Sequence, residues 1–166
     1  MRVPGDTLDA SNASVKCVLV TGDSSDAIAA YLANTEWSAE ISPDGKQVLK
    51  RLGQRRYQAV LCDIDLSGIG VMKLVSRIRA DFPDVAVLVV TPPEKLRQAV
   101  LATFSGASGY LLTPFQPGAL ASALDNAMLE KKYESALRSL ATRRDPAPIR
   151  RFSPQRHVIL PSAAEA

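Results

Sequence analysis

The chain has 166 residues, 46% of them hydrophobic and 22% charged, which is the composition of a globular domain that buries a core. No apolar run approaches the ~18 residues of a transmembrane helix, and the N-terminus lacks the apolar segment of a secretory signal. We therefore expect a cytoplasmic protein without a membrane partner. One histidine and two cysteines, both cysteines inside predicted strands, argue against a structural zinc site and a disulfide framework.

The net charge of +3 is unevenly placed along the chain. Residues 131–166 hold eight Lys and Arg against three acids, a net +5, which leaves −2 for residues 1–130. The basic character therefore belongs to the C-terminal region. We expect residues 1–14 to be a disordered leader and residues 142–166 a basic disordered tail, because neither shows a hydrophobic period.

Strands and helices alternate five times along the chain. Four predicted strands are apolar runs that end in turn residues, while the second alternates apolar and polar side chains and should bury Ile41. The helices carry apolar residues three and four positions apart, and the first should bury Tyr31. The predicted strands are 16–21, 37–41, 59–62, 85–90 and 108–112; the helices lie near 26–32, 45–52, 71–78, 94–104 and 117–140.

This alternation predicts an α/β fold with helices on both faces of a parallel sheet. Right-handed crossovers leave few topologies, and we expect the flavodoxin-like (βα)5 doubly wound sheet with strand order 2-1-3-4-5. The domain should occupy residues 15–129. Its last helix should continue as an extension over residues 130–141, where the apolar stripe persists.

Polar side chains stand at the ends of four of these strands. Asp23 follows the first strand and Asp63 the third, while Thr91 and Thr113 follow the fourth and fifth. The carboxyl ends of parallel strands share one edge, where open α/β sheets place their ligands. Two acids and a hydroxyl at that edge can hold a hard divalent cation and a phosphoryl group.

With these landmarks in order, residues 16–129 resemble the receiver domain of two-component response regulators. The resemblance implies that Asp63 accepts a phosphoryl group from a sensor histidine kinase or a phosphotransfer protein. It implies that Mg²⁺ is bound by Asp23, Asp63 and the backbone carbonyl of Asp65. The motifs that carry it are 18–23, Asp63 with Ser67 and Gly68, Thr91, 106–110 and 113–115.

The same resemblance assigns the parts of a switch. The Thr91 hydroxyl would hydrogen-bond the phosphoryl oxygens, and Tyr110 would change rotamer to report phosphorylation. The peptide bond before Pro114 would be cis. The protein would then act as a phosphoacceptor rather than an enzyme. It would signal by contacting a downstream target or a second copy through the face spanning residues 94–140.

Two positions depart from the family pattern. Gly22 stands where receivers carry the first of two adjacent acids, and Thr113 stands where they carry a lysine. The missing acid should weaken Mg²⁺ binding, and the missing lysine removes a charge-assisted hydrogen bond. We hypothesise that the Asp65 carboxylate stands in for the acid absent at Gly22; a solvated loop acid is the alternative. Pro92 should stiffen the loop after the fourth strand.

Two other functions fit parts of the sequence. A pseudo-receiver would keep the fold but act as a phosphorylation-independent interaction module, as Gly22 and Thr113 suggest. The segment Asp63-Ile-Asp65-Leu-Ser67 is also close to the Asp-x-Asp-x-Thr motif of haloacid dehalogenases. That superfamily further requires a later lysine and an acidic pair, and no lysine lies between Lys95 and Lys131.

The C-terminal region leaves its role open. Tyr133, Leu137 and Leu140 extend an apolar stripe that suits a signalling connector or a short coiled coil, over fewer heptads than the ~3–4 that identify one. The arginines of the tail could contact nucleic acid or an acidic partner, or be solvated. No DNA-reading motif is present, so we expect no dedicated nucleic-acid-binding domain.

Overall fold

The computed structural model describes residues 16–143. The predicted leader, residues 1–14, and residues 144–166 of the predicted tail therefore lie outside the described residues. The first two residues of the predicted tail, Thr142 and Arg143, belong to the last helix. Five strands and five α-helices alternate, with a short 3-10 helix, Pro93–Lys95, before the fourth helix. They are β1 Lys16–Thr21, α1 Ser25–Leu32, β2 Trp37–Ser42, α2 Gly45–Gln54, β3 Ala59–Asp63, α3 Val71–Asp81, β4 Ala86–Thr91, α4 Leu96–Ser105, β5 Gly109–Leu112 and α5 Pro117–Arg143.

All strand pairs are parallel, and the sheet order is β2-β1-β3-β4-β5. The flavodoxin-like fold and its strand order are thus confirmed. β3 lies at the centre of the sheet, with four consecutive buried residues before the half-buried Asp63. Within residues 16–143, no helix combines the length and the apolar content that a bilayer crossing requires.

Two apolar layers, one on each face of the sheet, hold the helices. Side chains of α2, α3 and α4 pack on one face, where Leu19 and Val60 alternate with neighbours that point the other way. Side chains of α1 and α5 pack on the opposite face against Val18, Val20 and Leu61. Because both faces are covered, the central strands are apolar throughout, as the sequence runs predict.

The predictions that Tyr31 and Ile41 are buried in the core were wrong. Tyr31 is 41% exposed and Ile41 39% exposed. β2 is an edge strand, and the chain turns into α2 at Ser42, which is buried in place of its neighbour Ile41. Tyr31 lies at the rim of the core, where its ring meets the edge of Phe115 at a centroid distance of 5.8 Å.

Candidate functional site

Asp63 is the last residue of the central strand and is half-buried at the carboxyl edge. The Ile64 N–H donates to the Val90 carbonyl at 2.9 Å, which continues the β3–β4 pairing one residue past Asp63. The Leu66 N–H then donates to the Asp63 carbonyl at 3.2 Å and closes a turn. The strand and the turn together fix the backbone that presents the Asp63 carboxylate.

The turn after β1 contacts that carboxylate directly. The Ser24 N–H donates to Asp63 Oδ2 at 3.1 Å, and the Ser25 N–H donates to the Gly22 carbonyl at 3.2 Å. Gly22 has φ +116°, and a Cβ placed there would lie 2.5 Å from the Asp63 Cβ and 2.9 Å from Oδ2. Glycine is therefore required twice, by its backbone conformation and by the close approach of Asp63.

This contact changes the meaning of the departure at position 22. The sequence alone suggests a lost acid, whereas the structure shows a backbone packed so tightly against Asp63 that no side chain fits. An aspartate introduced at Gly22 would collide with Asp63 unless the turn moved. The β1–α1 turn and Asp63 therefore form one packed unit.

A divalent cation would find two carboxylates here. Asp23 is exposed and lies between Gly22 and Ser24, both of which contact Asp63. The described part of the chain holds no group of three or more His, Cys, Asp or Glu placed around a metal position. A Mg²⁺ site at this edge would therefore have to draw on few charged ligands and be completed by backbone carbonyls, and Mg²⁺ affinity rises with ligand charge.

The Asp65 carboxylate forms an ion pair with the ammonium group of Lys95. Lys95 Nζ lies 2.5 Å from both Asp65 carboxylate oxygens, and the two side chains are 39% and 57% exposed. The structure therefore brings Asp65 together with Lys95. The hypothesis that this carboxylate serves as a metal ligand gains no support from that pairing.

The threonine at the end of β4 is fully buried. The Thr91 hydroxyl donates to the Pro92 carbonyl at 3.1 Å, and the Thr91 carbonyl accepts the Thr113 N–H at 2.9 Å. Thr113 is half-buried at the end of β5, and the bond between it and Pro114 is cis, the isomer that the resemblance implies. Thr91 and Thr113 thus share one hydrogen-bonded strand end.

Tyr110 lies on β5 and is 38% exposed. The adjoining α4 exposes Leu101 and, to 74%, Phe104, and β5 also exposes Leu112. Single exposed apolar residues are common on protein surfaces, and these lie on two elements that pack against each other. We call the exposed residues Leu96, Leu101, Phe104, Tyr110 and Leu112 the α4–β5 surface.

Comparisons with known proteins decide the family. The sequence model of the response regulator receiver domain matches residues 18–125. The chain belongs to this family.

Relatives of known sequence agree with that assignment. The transcriptional regulatory protein QseB of Haemophilus influenzae is 31% identical over 90 residues, which cover 54% of this chain and 40% of QseB. The response regulator MprA of Mycobacterium tuberculosis is 24% identical over 132 residues, covering 78% of this chain and 57% of MprA. The chain thus spans 40% of QseB and 57% of MprA. The activities of those whole proteins therefore do not transfer to it.

A solved structure agrees in fold. A response regulator receiver domain protein from Clostridium thermocellum superposes with a TM-score of 0.65 at 24% identity, covering 71% of this chain and 98% of that one. At this identity the likeness concerns the fold. The placement of Asp63 at the carboxyl end of the central receiver strand is consistent with it.

Three features of this receiver domain were missed by sequence reasoning. Ser24 contacts Asp63 through its backbone, which no side-chain motif reveals. Lys95 reaches the site from the loop after β4. The Thr21 hydroxyl is buried at the end of β1 without a hydrogen-bond partner among the described residues. Of these, only Lys95, a lysine four residues after the end of β4, carried a readable signal.

The Cys62 thiol, next to Asp63, is inert. Burial raises the pKa of Cys62 to about 12, and the neighbouring charge of Asp63 acts in the same direction. The thiol therefore stays protonated near neutral pH and is a poor nucleophile. Of these two neighbouring side chains, only the Asp63 carboxylate is therefore a candidate nucleophile.

Proposed function

We propose that this receiver domain accepts a phosphoryl group on Asp63 from a sensor histidine kinase or a phosphotransfer protein. A carboxylate oxygen of Asp63 would attack the phosphorus of a phosphohistidine, the nitrogen–phosphorus bond would break, and the imidazole would leave with its electron pair. The observation that carries the proposal is the half-buried Asp63 carboxylate at the carboxyl end of the central strand, with one oxygen held by the Ser24 N–H. The product is an acyl phosphate.

The surrounding residues would orient the reacting carboxylate. The Ser24 N–H donates to Oδ2, which leaves Oδ1 as the oxygen that would attack the phosphorus. Asp23 and Asp63, with the Asp65 backbone carbonyl, would hold Mg²⁺, more weakly than in receivers with paired acids. The ion supplies charge neutralisation for the incoming phosphoryl group.

Signalling would follow from the strand ends beside Asp63. The Thr91 hydroxyl, now bonded to the Pro92 carbonyl, would turn to the phosphoryl oxygens. Tyr110 would change rotamer on β5. Since Pro92 and Pro93 fix two φ angles in the connecting loop, we expect a smaller movement of that loop than flexible residues would give.

Output would be a protein contact made by the face spanning residues 94–140, with a downstream target or a second copy. The α4–β5 surface supports this choice, because it places several exposed apolar side chains beside Tyr110. We further propose a cytoplasmic location. The two free thiols, Cys17 and Cys62, fit that location because disulfides are rare there.

The test is intact-mass spectrometry after incubation with acetyl phosphate and Mg²⁺. We expect the parent chain to gain one phosphoryl group, and the Asp63→Asn variant, which keeps the size and the Ser24 contact, to gain none. Chelation of Mg²⁺ should stop the reaction in the parent. A parent chain that gains no phosphoryl group would favour the phosphorylation-independent interaction module instead.

A further inference from the structure

The short 3-10 helix after β4 places a lysine ammonium at the turn that follows β3, through its ion pair with Asp65. Lys95 closes the 3-10 helix Pro93–Lys95, and its ammonium bonds both oxygens of the Asp65 carboxylate. Asp65 lies two residues beyond Asp63, within the turn that the Leu66 N–H closes onto the Asp63 carbonyl. The ammonium is therefore anchored to the same turn that presents the phosphoacceptor.

The backbone of Lys95 is tied to the end of β4. The Pro92 carbonyl accepts the Thr91 hydroxyl at 3.1 Å and also the Lys95 N–H at 3.0 Å. One carbonyl thus joins Thr91 to the base of Lys95. The proline rings at positions 92 and 93 restrict the backbone between them. Lys95 therefore starts from a fixed position, while its long side chain remains free to turn.

The pair that holds the ammonium is easily exchanged. Both partners are more than a third exposed, and exposed ion pairs contribute little to stability because water screens them. A lysine ammonium is a compact charge on a flexible stem with three donors, and it can leave one anion for another. A phosphoryl group on Asp63 would offer more negative charge than the Asp65 carboxylate does.

We propose that Lys95 replaces the lysine missing at position 113, by moving from Asp65 to the phosphoryl group on Asp63. This inference rests on the proposed phosphorylation of Asp63. The Asp65 carboxylate then holds the Lys95 ammonium in the unphosphorylated protein, while the Asp65 backbone carbonyl stays available to Mg²⁺. The phosphoryl group would then be bound by a lysine ammonium from the segment between β4 and α4, which follows Thr91, and not by a lysine at the end of β5.

The test compares phosphorylation rates with acetyl phosphate at saturating Mg²⁺, followed by intact mass. We expect Lys95→Gln to slow the reaction about tenfold or more, as loss of a charged donor at developing charge does. Lys95→Arg, which keeps the charge, should retain most of the rate. Lys50→Gln, at an exposed lysine of α2, is the matched control and should react like the parent.

The reciprocal variant removes the resting partner. We expect Asp65→Asn to react at least as fast as the parent, because Lys95 is released. An Asp65→Asn rate below that of Lys95→Gln would show that the carboxylate itself serves the site and would overturn the assignment. Circular dichroism should show the same fold in all four variants, since each altered side chain is at least partly exposed.

The outcomes separate this inference from the function on which it rests. If the parent gains a phosphoryl group and Lys95→Gln gains it at the same rate, the role of Lys95 is wrong and the phosphoacceptor stands. If the parent gains none, both proposals fail.

Discussion

The two halves of α5 carry similar apolar spacing and have different surroundings. In the first half, residues 117–128, Leu120 and Leu124 are fully buried against the sheet. In the second half, residues 129–143, Tyr133 and Leu137 are each 65% exposed, and Leu140 is 61% exposed. The helix is continuous across the boundary. Because an α-helix turns about 100° per residue, Tyr133, Leu137 and Leu140 lie on the face of α5 roughly opposite to Leu120 and Leu124, so the exposed stripe faces away from the core.

The difference shows which part of α5 builds the domain and which part is available to a partner. The first half closes one face of the core. The second half carries its apolar stripe on the outer face of the helix, where several large apolar side chains mark a contact surface. Together with the α4–β5 surface, this stripe extends the proposed output face along residues 94–140.

The largest expected effect separates the two halves by stability. Replacing Leu124 by Ala should lower the free energy of unfolding by about 2–5 kcal/mol, because it opens a cavity in the core. Replacing Leu137 by Ala should change it by no more than about 0.5 kcal/mol, since that side chain is largely in water. Urea denaturation of both variants measures the two values. Equal losses would mean that the second half is covered in solution.

Polar anchors should show the same contrast at a smaller scale. Asp125, in the first half, accepts hydrogen bonds from Lys16 Nζ at 2.8 Å and from Trp37 Nε1 at 3.0 Å. Asp125→Ala should cost about 1–3 kcal/mol, because the indole N–H of the buried Trp37 loses its acceptor. The control is Asp84→Ala, which removes the exposed partner of Arg138 in the second half and should cost at most about 1 kcal/mol. A larger loss of unfolding free energy for Asp84→Ala than for Asp125→Ala would contradict the view that Asp125 is the stronger anchor of α5.

Stability should also depend on alkaline pH, through Lys16, which is bonded to Asp125 in the first half of α5, and through Tyr57, which lies away from α5. Hydrogen bonds to Asp125 and Glu36 raise the pKa of Lys16 above 10.5, and burial with a hydrogen bond to Glu40 raises the pKa of Tyr57 above 10.0. Both groups hold protons more tightly when folded, so their contribution is complete below these values and is lost as pH rises through the folded pKa values. We expect the urea concentration at the unfolding midpoint to decrease once the pH exceeds about 10. Asp125→Asn should make that fall shallower, and an unchanged slope would exclude Lys16 as a cause.

Sequence patterns predicted the fold because the fold depends on local features. Apolar runs such as 59–62 and 85–90 favour buried strands because they are short and closed by turn residues, and the second is rich in β-branched valine. Their alternation with helices then restricts the sheet order. The carboxylate of Asp63 at a strand end follows from the same pattern. These predictions use spacing within a short segment and need no tertiary contact.

The details of the site depend on contacts between distant segments. Gly22 meets Asp63 across 41 positions of sequence, and Lys95 meets Asp65 across 30. No local pattern distinguishes a lost acid from a glycine demanded by close packing, or a surface lysine from one held at the site. The same limit explains Ile41, whose alternation fits a buried face but which lies on an edge strand.

The smallest expected effect on stability tests the second half as a contact surface. Replacing Tyr133 and Leu137 by Ser should change the free energy of unfolding by less than about 1 kcal/mol, because both side chains are mostly exposed already. Any association that the phosphorylated parent shows in sedimentation velocity should weaken, since those side chains supply the apolar area a partner would bury. The matched control is Lys132→Ser, an exposed polar position on the same helix, which should leave association unchanged. Association that survives in the double variant would move the contact to the α4–β5 surface, where Phe104→Ser would then be the decisive change.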